Sequence, residues 1–196
     1  MSLFILAIGG TTRPNSSIEK ALKISLAAAA RDGAETQLLG AADLALPHYA
    51  PENPERTPEA QRLVALVRRA DGLIIGSPGY HGTISGLVKN ALDYVEDLSK
   101  DERPYFSDRA VGCVAISYGW QAAVNTLSAL RVVVHALRGW PTPMGAAAGS
   151  PTPIFDAEGN CIDAATAFQL ETIGRQVVEF AAGRRALGST PSTPSP

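Results

Sequence analysis

A chain of 196 residues with 45% hydrophobic and 18% charged positions has the composition of one ordinary globular domain, large enough to bury a continuous core without disulfides or metal. Its 17 Lys and Arg against 19 Asp and Glu leave a formal charge of -2, and neither a basic stripe nor a polybasic cluster points to nucleic acid or a lipid surface. Only Cys113 and Cys161 are present, without Cys-x-x-Cys spacing, which argues against a disulfide scaffold or zinc site and for a reducing, cytoplasmic compartment.

Residues 3–8 (LFILAI) are a continuous apolar run. The run is too short to cross a bilayer and no basic residue precedes it, so a buried strand is expected rather than a membrane segment or signal peptide. Residues 16–31 carry apolar positions at helical spacing and are followed by Gly33, the pattern of a helix and its stop. A short strand is expected at 35–39, a proline-rich surface loop at 45–58 and a helix at 59–70. Residues 72–76 (GLIIG) read as a buried strand, 85–98 as a helix, and 110–117 (AVGCVAIS) as another buried strand. A helix over 121–137, a weak fifth strand within 140–147 entered at Trp140-Pro141, and a last helix over 163–183 complete the order. Residues 188–196 (GSTPSTPSP) have no apolar pattern and are expected to form a disordered tail after a domain spanning 1–187.

Strands alternating with amphipathic helices predict one parallel sheet with helices on both faces and right-handed crossovers. In such a sheet, ligands bind beyond the carboxyl ends of the strands. Three predicted strands end in small, polar, turn-forming residues that would share one rim: residues 9–17 (GGTTRPNSS), 77–83 (SPGYHGT) and 117–120 (SYGW). The first loop leads straight into a helix, whose N-terminus offers unpaired N–H groups and a partial positive charge. Thr11, Ser16 and Ser17 add hydroxyls, and Arg13 adds a planar cation suited to phosphate oxygens. Against this stands the simpler reading that Asn15 or Ser16 only caps the helix. The loop lacks the Lys-Ser/Thr of a P-loop and the third glycine of Gly-x-Gly-x-x-Gly, so Asp43 is read as a loop carboxylate rather than a ribose ligand.

Residues 10–16 (GTTRPNS) resemble the Gly-Ser-x-Arg-x-x-Ser phosphate loop of the NADPH-dependent FMN reductase family. Residues 77–93 (SPGYHGTISGLVKNALD) are similar to the same family's second motif, Pro-x-Tyr, a small-residue turn, then Leu-Lys-Asn-x-Leu-Asp. The likeness spans about residues 3–182. It implies a three-layer flavodoxin-like α/β fold with a five-stranded parallel sheet of order 2-1-3-4-5, FMN as cofactor, NAD(P)H as co-substrate and a homodimer or homotetramer. By position, Thr11, Arg13, Ser16 and Ser17 would hold the FMN phosphate. Pro78, Gly79, Tyr80, His81 and Gly82 would line the isoalloxazine, with Ser117, Tyr118 and Gly119 on its pyrimidine side. Gly79 departs from the family, many of whose members carry Glu there. The implied activity is hydride transfer from NAD(P)H through FMN to a small-molecule acceptor such as free flavin, a quinone, an azo or nitro compound, or a metal oxyanion. An electron carrier of the flavodoxin type, without nicotinamide turnover, is the alternative; a flavin-free regulatory module is a second.

No side chain is expected to act as catalyst, since hydride transfer between two such rings needs no protein acid; His81 is read as a ring-edge or backbone contact before a proton donor. His48 and His135 suggest no chemistry, and no His/Cys/Asp cluster has ligand spacing. Lys89 and Asp93 form an i,i+4 pair on a helix face. Cys113 is read as an inert core thiol and Cys161 as a loop thiol without an activating neighbour. Trp120 suits a wall of the site or the core equally. The aromatics of residues 101–107 suit either a second subunit or the chain's own domain.

Overall fold

The computed structural model describes residues 2–149, 151 and 153–188. Strands β1 (Phe4–Gly9), β2 (Glu35–Leu39), β3 (Gly72–Tyr80) and β5 (Ala110–Ser117) lie parallel in the order β2-β1-β3-β5. Their registers run from Ile5 opposite Gly72 to Gly9 opposite Gly76, and from Leu73 opposite Val111 to Pro78 opposite Ile116. Alternate residues of each apolar run face opposite layers. Phe4, Leu6 and Ile8 pack under α2 (Pro58–Arg69), α3 (Gly86–Asp93), a 3-10 turn (Tyr94–Leu98) and α4 (Trp120–Ala136). Ile5 and Ala7 pack under α1 (Ser17–Arg31) and α5 (Ala164–Gly188). A strand buried on both faces has no polar side to show, which is why these segments read as unbroken apolar runs.

The expected count of five strands is corrected to seven. The fifth position holds two short pieces, β6 (Trp140–Pro141) and β7 (Ala146–Gly149), both parallel to β5. Pro141 and Pro143 have no N–H to give a ladder, and the carbonyls of Thr142 and Pro143 turn instead to Arg131 Nη2, at 3.2 and 2.9 Å. The other addition is β4 (Thr83–Ile84), antiparallel to the end of β3. Pro78 therefore lies inside a strand. The pairing with β1 ends at Gly76, so no β1 residue lies opposite Pro78, and a locally open strand edge is where a residue without N–H is tolerated. The helix expected over 85–98 tightens to 3-10 geometry at Tyr94, and the last helix runs on to Gly188. Beyond that, the predicted tail falls outside the described residues.

Residues 101–107 fold onto their own domain. Phe106 is fully buried in the layer under α2 and α4, and two arginines from this neighbourhood close the end of α2. Arg109, 1% exposed, donates from Nε to Ala70 O (2.9 Å), from Nη1 to Tyr105 O (2.7 Å) and from Nη2 to Arg68 O (3.0 Å). Arg103 Nη2 adds a bond to Ala70 O at 2.8 Å. The Arg68 and Ala70 carbonyls are among those a helix leaves unpaired at its C-terminus, where the dipole also favours a cation. Burial, and then the neighbouring Arg103, push the Arg109 guanidinium down to about 10, still charged at neutral pH. Arg109→Met is expected to lower unfolding stability by about 2–4 kcal/mol, since it strands several buried acceptors together. Arg109→Lys should recover only part, because one ammonium cannot reproduce the fork. Urea unfolding of the three proteins measures both differences.

Candidate functional site

The carboxyl ends of β1, β3 and β5 open on one cleft of about 680 Å³, within the range of roughly 300–1,000 Å³ typical of cofactor sites. The loop after β1 forms one wall, with Thr11, Arg13, Ser16 and Ser17. Pro78, Gly79 and Tyr80 form the second, and Ser117 and Tyr118 the third. Nine of the twelve residues expected at the site thus line one cavity; His81, Gly82 and Gly119 do not.

On the first wall, Ser16 is the N-cap of α1, its Oγ accepting from Glu19 N at 3.4 Å. Its own hydroxyl proton stays available, and the amides of Ser16 and Ser17 meet no acceptor among the described residues. Arg13 is exposed, and its guanidinium pairs with no carboxylate or carbonyl among the described residues. Thr11 is used differently: its Oγ1 accepts from Arg13 N and donates to Arg13 O, both at 3.1 Å, closing the turn that presents Arg13. The wall therefore combines open helix-terminal N–H groups with a free planar cation, an arrangement suited to a phosphate dianion.

The second wall is tied at its base by Ser77, fully buried, which accepts from Ser85 N and donates to Pro78 O, both at 2.9 Å. Ser85 in turn caps α3 through Val88 N. Ser117 Oγ donates to Gly79 O at 3.2 Å, joining the second wall to the third. The positive φ of His81 (50°) and Gly82 (90°), between the paired Tyr80 and Thr83, is the requirement of a type I′ hairpin turn. His81 holds that turn by its backbone, is exposed and does not line the cleft. Gly119 is the N-cap of α4. Trp120 is 62% exposed, so it is not a core residue; it borders a neighbouring hollow with Gly149 and Ile162.

The remaining candidates are structural. Lys89 and Asp93 pair at 2.5 Å on an exposed helix face. Between them, Asn90 accepts from Tyr49 N (2.8 Å) and donates to Pro47 O (2.8 Å), pinning the proline-rich loop to α3. Asp43 closes its own turn on Gly40 N and pairs with Arg62. Burial pushes the Cys113 thiol up to about 12, so it is inert, and burial also raises Cys161. No group of three or more His, Cys, Asp or Glu that could hold a metal occurs among the described residues. A second groove between Trp140 and Phe180, rimmed by Thr142, Gln176, Glu179 and Arg184, lies at the amino end of β5, opposite the rim.

Residues 3–151 match the family model described as NADPH-dependent FMN reductase. The chain belongs to that family. An NADPH azoreductase of Bacillus sp. (strain OY1-2) is 36% identical over 100 residues, which are 50% of this chain and 53% of the relative, so the chain spans about half of that protein's length. The structure resembles RosB with bound 8-demethyl-8-formylriboflavin-5'-phosphate (TM-score 0.73, 15% identity, 100% of this chain and 90% of that one). It also resembles the flavodoxin, WrbA-like protein from Agrobacterium tumefaciens (TM-score 0.59, 16% identity, 94% and 99%). At those identities the likeness establishes the fold, which is flavodoxin-like.

In this member of the FMN reductase family, glycine at position 79 has a packing reason. A Cβ there would lie 2.7 Å from Thr126 Oγ1 and 3.1 Å from Ser117 Cβ and Oγ. Thr126 is fully buried in α4, and its hydroxyl has no partner among the described residues. Gly79→Ala is expected to lower stability by about 1–2 kcal/mol through this overpacking, and adding Thr126→Ala should recover most of it. A double-mutant cycle on urea midpoints checks the coupling. The cleft residues missed by sequence reasoning are Pro14, Asn15, Ile18 and Ile116, together with Glu19 beneath it. The Ser16…Glu19 spacing, a capping-box signature, was the available signal for the last.

Proposed function

We propose that this chain binds FMN in the cleft and uses it to pass reducing equivalents from NAD(P)H to a small-molecule acceptor. The observation that carries the reading is the first wall: a cation and helix-terminal amides without partners among the described residues, beside a slot walled by glycine and proline backbone. The residues fit the group. Arg13, Ser16 and Ser17, with Thr11 shaping the turn, hold the phosphate. Pro78, Gly79 and Tyr80 border the ring, with His81 and Gly82 as the turn that supports them, and Ser117, Tyr118 and Gly119 on the other side. Backbone without side chains lets a flat ring approach closely, and fixed N–H dipoles favour the electron-rich reduced ring. When bound, FMN supplies a ring that accepts hydride from reduced nicotinamide and yields it to the acceptor. Tyr80 (51% exposed) and Tyr118 (79%) stand at the mouth, where they can flank an incoming aromatic ring and limit water. No side chain is assigned a proton-transfer role.

The acceptor class includes free flavins, quinones and azo compounds, the last in keeping with the azoreductase relative. A homodimer or homotetramer is supported by the exposure of Val124 and Val132 on α4. A reducing, cytoplasmic location is supported by two cysteines that form no disulfide. No described helix is long and apolar enough to cross a membrane.

Anaerobic mixing of the FMN-loaded protein with NADPH and, separately, NADH tests the reading. Rapid bleaching of the yellow ring is expected with at least one of them. A ring that stays oxidised with both, yet accepts electrons from dithionite, would mean an electron carrier instead.

A further inference from the structure

We infer that Glu19 is a positioning residue that makes the protein select the phosphorylated flavin, by holding the loop so that the Ser16 and Ser17 amides stay open. The inference rests on the FMN reading above and deepens it. Glu19 is the third residue of α1, 6% exposed. In a capping box, a glutamate at this position reaches back to the N–H of the N-cap residue, which here is Ser16. Glu19 does something else: Oε2 accepts from Asn15 N at 2.7 Å, one residue further back, and Oε1 accepts from Ala41 N at 2.8 Å in the turn after β2. The Ser16 amide, which a normal box would occupy, is left for a ligand.

The same carboxylate joins three segments. It passes between Gly10 and Gly40, where an added Cβ would lie 3.1 and 2.8 Å from Oε1. Asn15 has φ 55°, a left-handed conformation that asparagine adopts more readily than most residues with a side chain; the bond to Glu19 holds it there, aided by Lys23 Nζ on Asn15 Oδ1 at 3.2 Å. Turning Asn15 away would let its neighbour's amide swing toward the carboxylate and close the site.

Charge and positioning predict opposite signs. A carboxylate near a bound phosphate repels it, so charge alone makes Glu19→Gln bind FMN more tightly. Positioning makes it bind more weakly, because an amide offers one acceptor to two N–H donors. FMN and riboflavin dissociation constants for the apo-protein, read from flavin fluorescence, decide between them. FMN affinity in Glu19→Gln is expected to fall about tenfold or more, with riboflavin affinity unchanged. A variant that keeps the parent's preference for FMN, or binds it more tightly, overturns the inference. If the parent itself binds the two flavins equally, the phosphate reading fails instead. Should the variant not fold, amide exchange by NMR on the unmutated apo-protein serves: Asn15 protected, Ser16 and Ser17 fast, and the latter two slowed by FMN but not riboflavin. An Asn15 amide as labile as those of the serines contradicts the role.

Discussion

Gly9→Ala should leave a protein whose thermal midpoint lies about 10 °C or more below the parent's. Gly9 is the last residue of β1 and pairs with Gly76 at the rim end of β3. A Cβ on it would lie 2.1 Å from Gly76 O and 2.8 Å from Gly76 C. Both atoms are backbone in the middle of the sheet, so no rotamer change relieves the overlap, and the two strands must part where the cleft begins. We expect a cost of about 3–5 kcal/mol, at the upper end for single substitutions, against a total stability on the order of 5–15 kcal/mol. Flavin binding should be lost with it, because the same strand ends carry the first and second walls. Gly86→Ala is the control: an added Cβ meets nothing within 4 Å, and alanine favours the helix by up to about 1 kcal/mol. Circular dichroism melts of both variants separate this contact from a general intolerance of glycine replacement. A Gly9→Ala midpoint within a few degrees of the parent's would mean that the strands are not packed as described.

Arg13→Ala should produce the opposite pattern, an unchanged fold with a damaged site. The exposed guanidinium makes no hydrogen bond or ion pair among the described residues, so the apo-protein is expected to melt within about 1 °C of the parent, as for a surface change. FMN affinity should fall about 10- to 100-fold, the loss of one charge-assisted hydrogen-bonding group worth roughly 1.5–3 kcal/mol. Riboflavin, which lacks the phosphate, should bind both proteins alike. The loss should also shrink as salt is added, since the Arg13 contribution is that of an exposed charge. Isothermal titration at two ionic strengths measures all of this. Equal FMN affinity in mutant and parent would remove Arg13 from the site.

Most of the layer order was legible because the strands are buried on both faces: LFILAI and AVGCVAIS have no other sensible place than a central parallel sheet. The helices were legible from apolar spacing and, for the first, the terminal Gly33; the structure adds caps at Ser16, Thr57 and Ser85, each accepting from the N–H three residues on. What misled was proline. Pro78 suggested that the strand stops at Gly76, whereas it continues along an edge that β1 has already left. Trp140-Pro141 marked the entry of a weak strand, but nothing in the pattern of 140–147 showed its division into two. The rim residues were legible from the family motifs, and their geometry confined nine of them to one cleft. His81 was not legible as a turn residue, because two positive φ values in succession are set by the β3–β4 pairing and not by His-Gly alone. The destination of the Arg109 guanidinium, on the end of a helix some forty residues earlier in the chain, follows from tertiary contact and leaves no local pattern. Asn90 shows the reverse: a motif residue conspicuous in sequence whose work is to pin the Tyr49 loop.

A crystal of the protein soaked with FMN tests the central claim most directly. The phosphate is expected at the N-terminus of α1, within hydrogen-bonding distance of the Ser16 and Ser17 amides and the Arg13 guanidinium, with the ring running toward Gly79 and Ser117. Density for the flavin in the Trp140–Phe180 groove, or a rim left unchanged at saturating FMN, would contradict it.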